Sequence, residues 1–152
     1  MGSTDVVADI VGYFDDGTGP GGLFTGTAAT RILDSRGPTG GWTGPLGPGA
    51  ANARTLQVTG AAGVPVTATA VVLNTTVTAS DAGSFLQVWP TGAAQPNSSN
   101  INFARGQTIA NLVTAKIGQG GRVAVANAVG QVDAIVDLVG YYDELAGDRF
   151  TA

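Results

Sequence analysis

Twenty-four glycines and seven prolines break this 152-residue chain into short segments, and that punctuation most restricts what it can fold into. The segments between the breaks are rich in Val, Thr, Ile and Leu, and none carries apolar residues at helical spacing for three turns. Helix formers are scarce, with one Glu (Glu144), one Lys (Lys116) and one Met. Short β-rich runs separated by turn signals at regular spacing predict an all-β protein, an antiparallel β-sandwich of jelly-roll or immunoglobulin-like type.

Eight or nine short strands are expected: Val6–Phe14, Thr30–Asp34, Arg54–Val58, Thr69–Thr78, Ser84–Trp89, Asn100–Phe103, Leu112–Ile117, Val123–Asn127 and Ala134–Tyr142. Asp81-Ala82-Gly83, Pro90-Thr91-Gly92, Gly118-Gln119-Gly120-Gly121 and Ala128-Val129-Gly130 supply the residues that tight turns need, so hairpins should dominate the second half. In Thr69–Thr78, residues Val71, Leu73, Thr75 and Val77 share one face and Val72, Asn74 and Thr76 the other, one looking at a core and the other partly at solvent. Residues 37–49, with three Pro and six Gly, read as one long loop around Trp42. The ring of Trp42 reads as a plug for the sandwich end ahead of a binding platform.

The chain also repeats itself. Asp5-Val6-Val7-Ala8-Asp9-Ile10-Val11-Gly12-Tyr13-Phe14-Asp15 returns as Asp133-Ala134-Ile135-Val136-Asp137-Leu138-Val139-Gly140-Tyr141-Tyr142-Asp143, at a constant offset of 128. Each copy leads through a short Gly/Asp linker to Phe-Thr, at Phe24-Thr25 and Phe150-Thr151. A period this long marks an array of whole domains, because solenoid units run to roughly 20–50 residues. The expected division is residues 1–21 as the last strand of a preceding unit plus linker, 22–144 as a complete unit, and 145–152 as linker and the start of the next.

Several function classes are excluded by composition. Without His or Cys there is no Ser-His-Asp or Cys-His nucleophile, no His-ligated or thiolate-ligated metal, and no disulfide. Two carboxylates flanking a cleft would serve a glycosidase, but most of the ten Asp fall where Asp is simply a turn former. The reading is non-enzymatic. A net charge of −4 offers no basic stripe for phosphates, so nucleic acid is not an expected partner. No run approaches the roughly 18 apolar residues of a membrane-spanning helix, so membrane insertion is not expected.

Asp137 and its counterpart Asp9 stand mid-strand among apolar residues, where a carboxylate needs a partner. Arg31 and Arg36 are the candidate mates for Asp137, through a salt bridge locking the first strand to the last. Trp42, Trp89, Asn97, Asn100 and Asn102 are the candidate ligand-binding residues, the Asn-rich run reading equally as side chains that satisfy their own turns. No cofactor is expected. Calcium is the one possibility left open, since oxygen ligands cluster at Asp15-Asp16-Gly17 and Asp143-Glu144 without EF-hand spacing. Lys116 alternates with Val113, Ala115 and Ile117 and should point outward.

The ordered motifs Thr30-Arg31-Ile32-Leu33-Asp34-Ser35-Arg36, Pro45-Leu46-Gly47-Pro48-Gly49, Ala70–Thr78, Val88-Trp89-Pro90-Thr91-Gly92, Pro96–Phe103, Asn111-Leu112-Val113 and Asp137–Tyr142 together resemble a tandem repeat module of secreted and cell-surface actinobacterial proteins. That resemblance spans roughly residues 24–142 and implies an extracellular or surface location and modularity, without implying a ligand. The expected role is a structural or adhesive array unit, with carbohydrate or cell-wall binding as the alternative. Expected partners are neighbouring repeats of the same protein, polysaccharide or peptidoglycan, and a second copy joined through the N-terminal strand.

Overall fold

The computed structural model describes residues 8, 10 and 22–144. Eight strands lie among them: β1 (Leu23–Asp34), β2 (Arg54–Gln57), β3 (Ala70–Thr78), β4 (Ser84–Pro90), β5 (Ile101–Phe103), β6 (Ile109–Lys116), β7 (Arg122–Asn127) and β8 (Asp133–Asp143). Three single 3₁₀ turns, at Thr39–Gly41, Ala50–Asn52 and Gln119–Gly121, are the only helical elements among the described residues. The expected strand Val6–Phe14 lies outside the described residues except for Ala8 and Ile10.

Two antiparallel sheets of four form the sandwich, ordered β1-β8-β3-β6 and β2-β7-β4-β5. Their inward residues make one core cluster that includes Leu33, Trp42, Leu46, Leu56, Leu73, Leu86, Val123 and Leu138. On β3 the inward set is Val71, Leu73, Thr75 and Val77, all buried, while Asn74 and Thr76 between them are partly exposed. Period-2 alternation therefore places one face of the strand in the core, each fully buried Val or Leu contributing about 1.5–3 kcal/mol.

Hairpins do not dominate the second half. Only β4 and β5 are consecutive strands that pair, and every other connection steps from one sheet to the other. That ordering is an eight-stranded jelly roll rather than an immunoglobulin-like sandwich. A Gly-bearing turn looks the same in sequence whether the chain returns along its own sheet or crosses to the facing one. Contacts between turns decide the matter here. The 79–83 and 128–132 connections bind each other at one end of the sandwich, through Asp81 N to Gln131 O (3.1 Å) and Gln131 N to Asp81 Oδ1 (2.7 Å).

β1 starts seven residues earlier than expected, at Leu23. Its early part carries Gly and small residues and is interrupted by an irregularity between Gly26 and Thr30, which hides the alternating pattern. Its first residue pairs with the last of β8 (Leu23 with Asp143, Phe24 with Tyr142), so the domain's chain enters and leaves at neighbouring strand ends.

Candidate functional site

Trp42 sits in the core cluster at 6% exposure and gives no open ring face. Its Nε1 donates to Thr55 O (3.0 Å), and the Arg54 guanidinium stacks 5.6 Å from the ring centroid. Arg54 in turn donates to Gly44 O and Pro45 O, both at 2.9 Å. The proline- and glycine-rich loop is thereby pinned to β2 by one buried indole and one guanidinium, which fits the plug geometry. Trp89 projects from the outer face of the other sheet but is only 9% exposed, packed with Ala53, Ala124 and Ala126. The two indoles share no surface.

The Asn-rich run divides. Asn100 Oδ1 accepts the Val88 amide (2.7 Å) and Asn100 O accepts Asn111 Nδ2 (2.7 Å), so this side chain closes the β4–β5 connection. Asn97 and Asn102 are exposed. Gln87, not singled out from the sequence, is buried beneath the same connection, where its Nε2 donates to Ser98 O (3.1 Å) and to Pro96 O and its Oε1 accepts Gln95 Nε2. A mid-strand glutamine flanked by Leu86 and Val88 was the available signal.

Arg31 and Asp137 are paired across β1 and β8, in register, with Nε at 2.9 Å from Oδ1 and an NH2 contact of 3.4 Å to Oδ2. The pair lies on the outer face of its sheet, the side chains 47% and 18% exposed. A mid-strand place among apolar residues therefore does not bury this charge: an outward position on a solvated sheet face leaves the carboxylate partly hydrated. Asp137→Ala is expected to cost under about 1 kcal/mol in urea denaturation, the range of exposed pairs, rather than the roughly 3–5 kcal/mol of a stranded buried charge.

Arg36 does not reach Asp137. Two residues beyond Asp34, it folds back onto that carboxylate with Nε to Oδ1 at 2.8 Å and NH2 to Oδ2 at 2.7 Å, while Arg31 approaches Asp34 at 3.5 Å. The hydrogen bonds from Arg36 pull the Asp34 carboxyl down to about 2. Because the folded value is depressed, the contribution to stability is present above the ordinary carboxylate range and is lost as pH falls towards 2. A carboxyl-carbon NMR titration of the wild type should have its midpoint near pH 2, and Arg36→Gln should move it back towards ordinary Asp values.

Ser35, also missed, is the buried polar link between the same strands. Its Oγ donates to Asp133 Oδ1 (2.7 Å) and accepts the Ala134 amide (3.0 Å). Gly140 has a role visible only in space: the Phe24 ring lies directly over it, 5.2 Å from that of Tyr142. A Cβ at position 140 would strike that ring.

Between the free edges of β1 and β2 runs a shallow cleft of about 390 Å³ lined by Arg31, Ile32, Thr39, Gly40, Leu56 and Gln57, among others. Its two long polar side chains are already engaged, Arg31 with Asp137 and Gln57 with Thr59 and Arg122. No group of three or more acidic side chains able to hold a metal occurs among the described residues. Asp143 is buried and accepts the Thr67 hydroxyl (2.6 Å), whereas Asp15, Asp16 and Gly17 lie outside the described residues. Lys116 is exposed. No helix of the described residues is long and apolar enough to cross a membrane.

The fold and its polar contacts define a jelly-roll β-sandwich whose singled-out polar side chains mostly serve the fold itself. Neither a protein-family model nor a curated protein matches the chain.

Proposed function

We propose that this domain is a non-catalytic structural unit of a tandem array in a secreted or surface-attached protein. The observation that carries the reading is the duplicated sequence, because residues of the C-terminal copy that match the N-terminal one are ones that the fold puts to use. Asp137 meets Arg31, Gly140 makes room for Phe24, and Tyr142, whose counterpart Phe14 is also aromatic, packs on Phe24. Entry and exit at neighbouring strand ends suit a unit strung between copies of itself by short linkers. Burial of both Trp supports a structural role over an aromatic sugar platform, which needs open ring faces.

Pull-down of the purified chain on insoluble peptidoglycan and polysaccharides tests this. The structural reading expects no saturable retention. Retention that is lost on Asn97→Ala or Asn102→Ala, the exposed members of the Asn-rich run, would replace it with cell-wall or carbohydrate binding.

A further inference from the structure

The sequence carries two copies of the segment that fills one place in the sheet. That place is the slot between β1 and β3, filled by Asp133–Asp143. Five residues of the occupant make contacts particular to the slot. Asp133 accepts the Ser35 hydroxyl, Asp137 binds Arg31, Gly140 lies under the Phe24 ring, Tyr142 packs against that ring, and Asp143 accepts the Thr67 hydroxyl. Asp5, Asp9, Gly12, Phe14 and Asp15 stand at the same spacings in the N-terminal copy. Leu138 of the occupant is fully buried, and its counterpart Ile10 is 94% exposed. An isoleucine so placed has the whole of its burial energy still to gain.

Connectivity favours the same place. The slot strand ends beside the start of β1, where Asp143 pairs with Leu23. In the N-terminal copy the equivalent Asp15 is joined to Leu23 by seven residues, Asp16-Gly17-Thr18-Gly19-Pro20-Gly21-Gly22, a composition suited to reversing the chain. Closing that short loop costs less chain entropy than pairing β1 with a strand more than a hundred residues away.

We propose that the slot between β1 and β3 accepts Asp5–Asp15 as well as Asp133–Asp143, so that neighbouring units are coupled by strand exchange. When the N-terminal strand folds back on β1 it displaces the unit's own last strand. The displaced strand stands immediately before the next unit's first strand and enters that unit's slot in the same way. The inference rests on the array reading for the identity of the partner, a further unit of the same sequence type, but the slot itself is tested within one chain. Absence or presence of glycan binding leaves that test untouched.

The full chain has no cysteine, so pairs can be introduced cleanly. Arg31→Cys is combined with Asp9→Cys, with Asp137→Cys, or with Ile10→Cys, the last being one residue out of register and facing the opposite side. After mild oxidation, disulfides 9–31 and 31–137 are both expected, each in at least about a tenth of the chains, whereas 10–31 is not. Disulfide formation by 31–137 alone with position 9 fully open to maleimide, or equal yields for 9–31 and 10–31, would overturn the proposal. A second measurement needs no cross-link. Leu138→Asp should keep the near-UV circular dichroism of a packed core because Ile10 takes over, and adding Ile10→Asp should abolish it. Unfolding of the Leu138→Asp chain, or a double variant as well folded as the single, overturns it equally.

Discussion

Trp42→Ala is expected to lower the unfolding free energy by about 3–5 kcal/mol, the cost of emptying a large aromatic site in a packed core. The indole belongs to the main cluster, and it holds three things at once: the inward face of the sandwich, the Thr55 carbonyl and the Arg54 guanidinium. Truncation leaves a cavity that the neighbouring turns cannot collapse into without giving up the Arg54 bonds to Gly44 and Pro45. Trp42→Phe keeps most of the apolar volume and loses the Nε1 donor, so it should cost about 1–2 kcal/mol. Guanidinium denaturation followed by far-ultraviolet circular dichroism separates the two variants. A loss below about 1 kcal/mol for the Ala variant would mean that the loop is not packed on the core in solution.

Gly118→Ala should be nearly as damaging, at about 3 kcal/mol, the upper end of what overpacking costs. A Cβ at this position runs into the backbone nitrogen and carbonyl oxygen of Thr91 and the carbonyl carbon of Pro90. Those atoms cannot swing aside as a side chain would, because Thr91 N donates to Arg122 O (3.3 Å) and Thr91 O accepts Gln119 N (2.8 Å), tying the end of β4 to the start of β7. Gly37→Ala is the control: a Cβ there meets nothing within 4 Å, and the change should stay within about 0.5 kcal/mol. A thermal melt of the two variants beside the wild type checks the contrast, and similar melting temperatures for both would remove the steric explanation.

Much of the fold was legible because strands advertise themselves by alternation. On β3, the shared face of Val71, Leu73, Thr75 and Val77 could be read from the pattern alone, and the Gly/Pro breaks located most strand boundaries within a residue or two. β1 and β6 were the exceptions: β6 begins at Ile109, three residues before the expected Leu112, and in β1 Gly26 and the irregular stretch before Thr30 hide the pattern that its pairing with β8 reveals. Among candidate site residues, Asp137 could be linked to the Arg31–Arg36 segment by charge complementarity alone, but not to one arginine over the other. Whether the pair was buried could not be read, because sequence alternation says which residues share a face and not which face meets solvent. Arg36 was drawn to the nearer Asp34 by the local turn, an outcome set by side-chain reach.

The sequence by itself determined the all-β class, the exclusion of His- and Cys-based chemistry, and the recurrence of one segment near both ends, because each depends only on residue type and spacing. The jelly-roll order, the burial of both tryptophans and the reason Gly140 accompanies Phe24 were decided only in three dimensions. Each of those depends on which sheet a turn delivers its strand to, and that choice is made by core contacts and turn-to-turn hydrogen bonds between residues far apart in the chain.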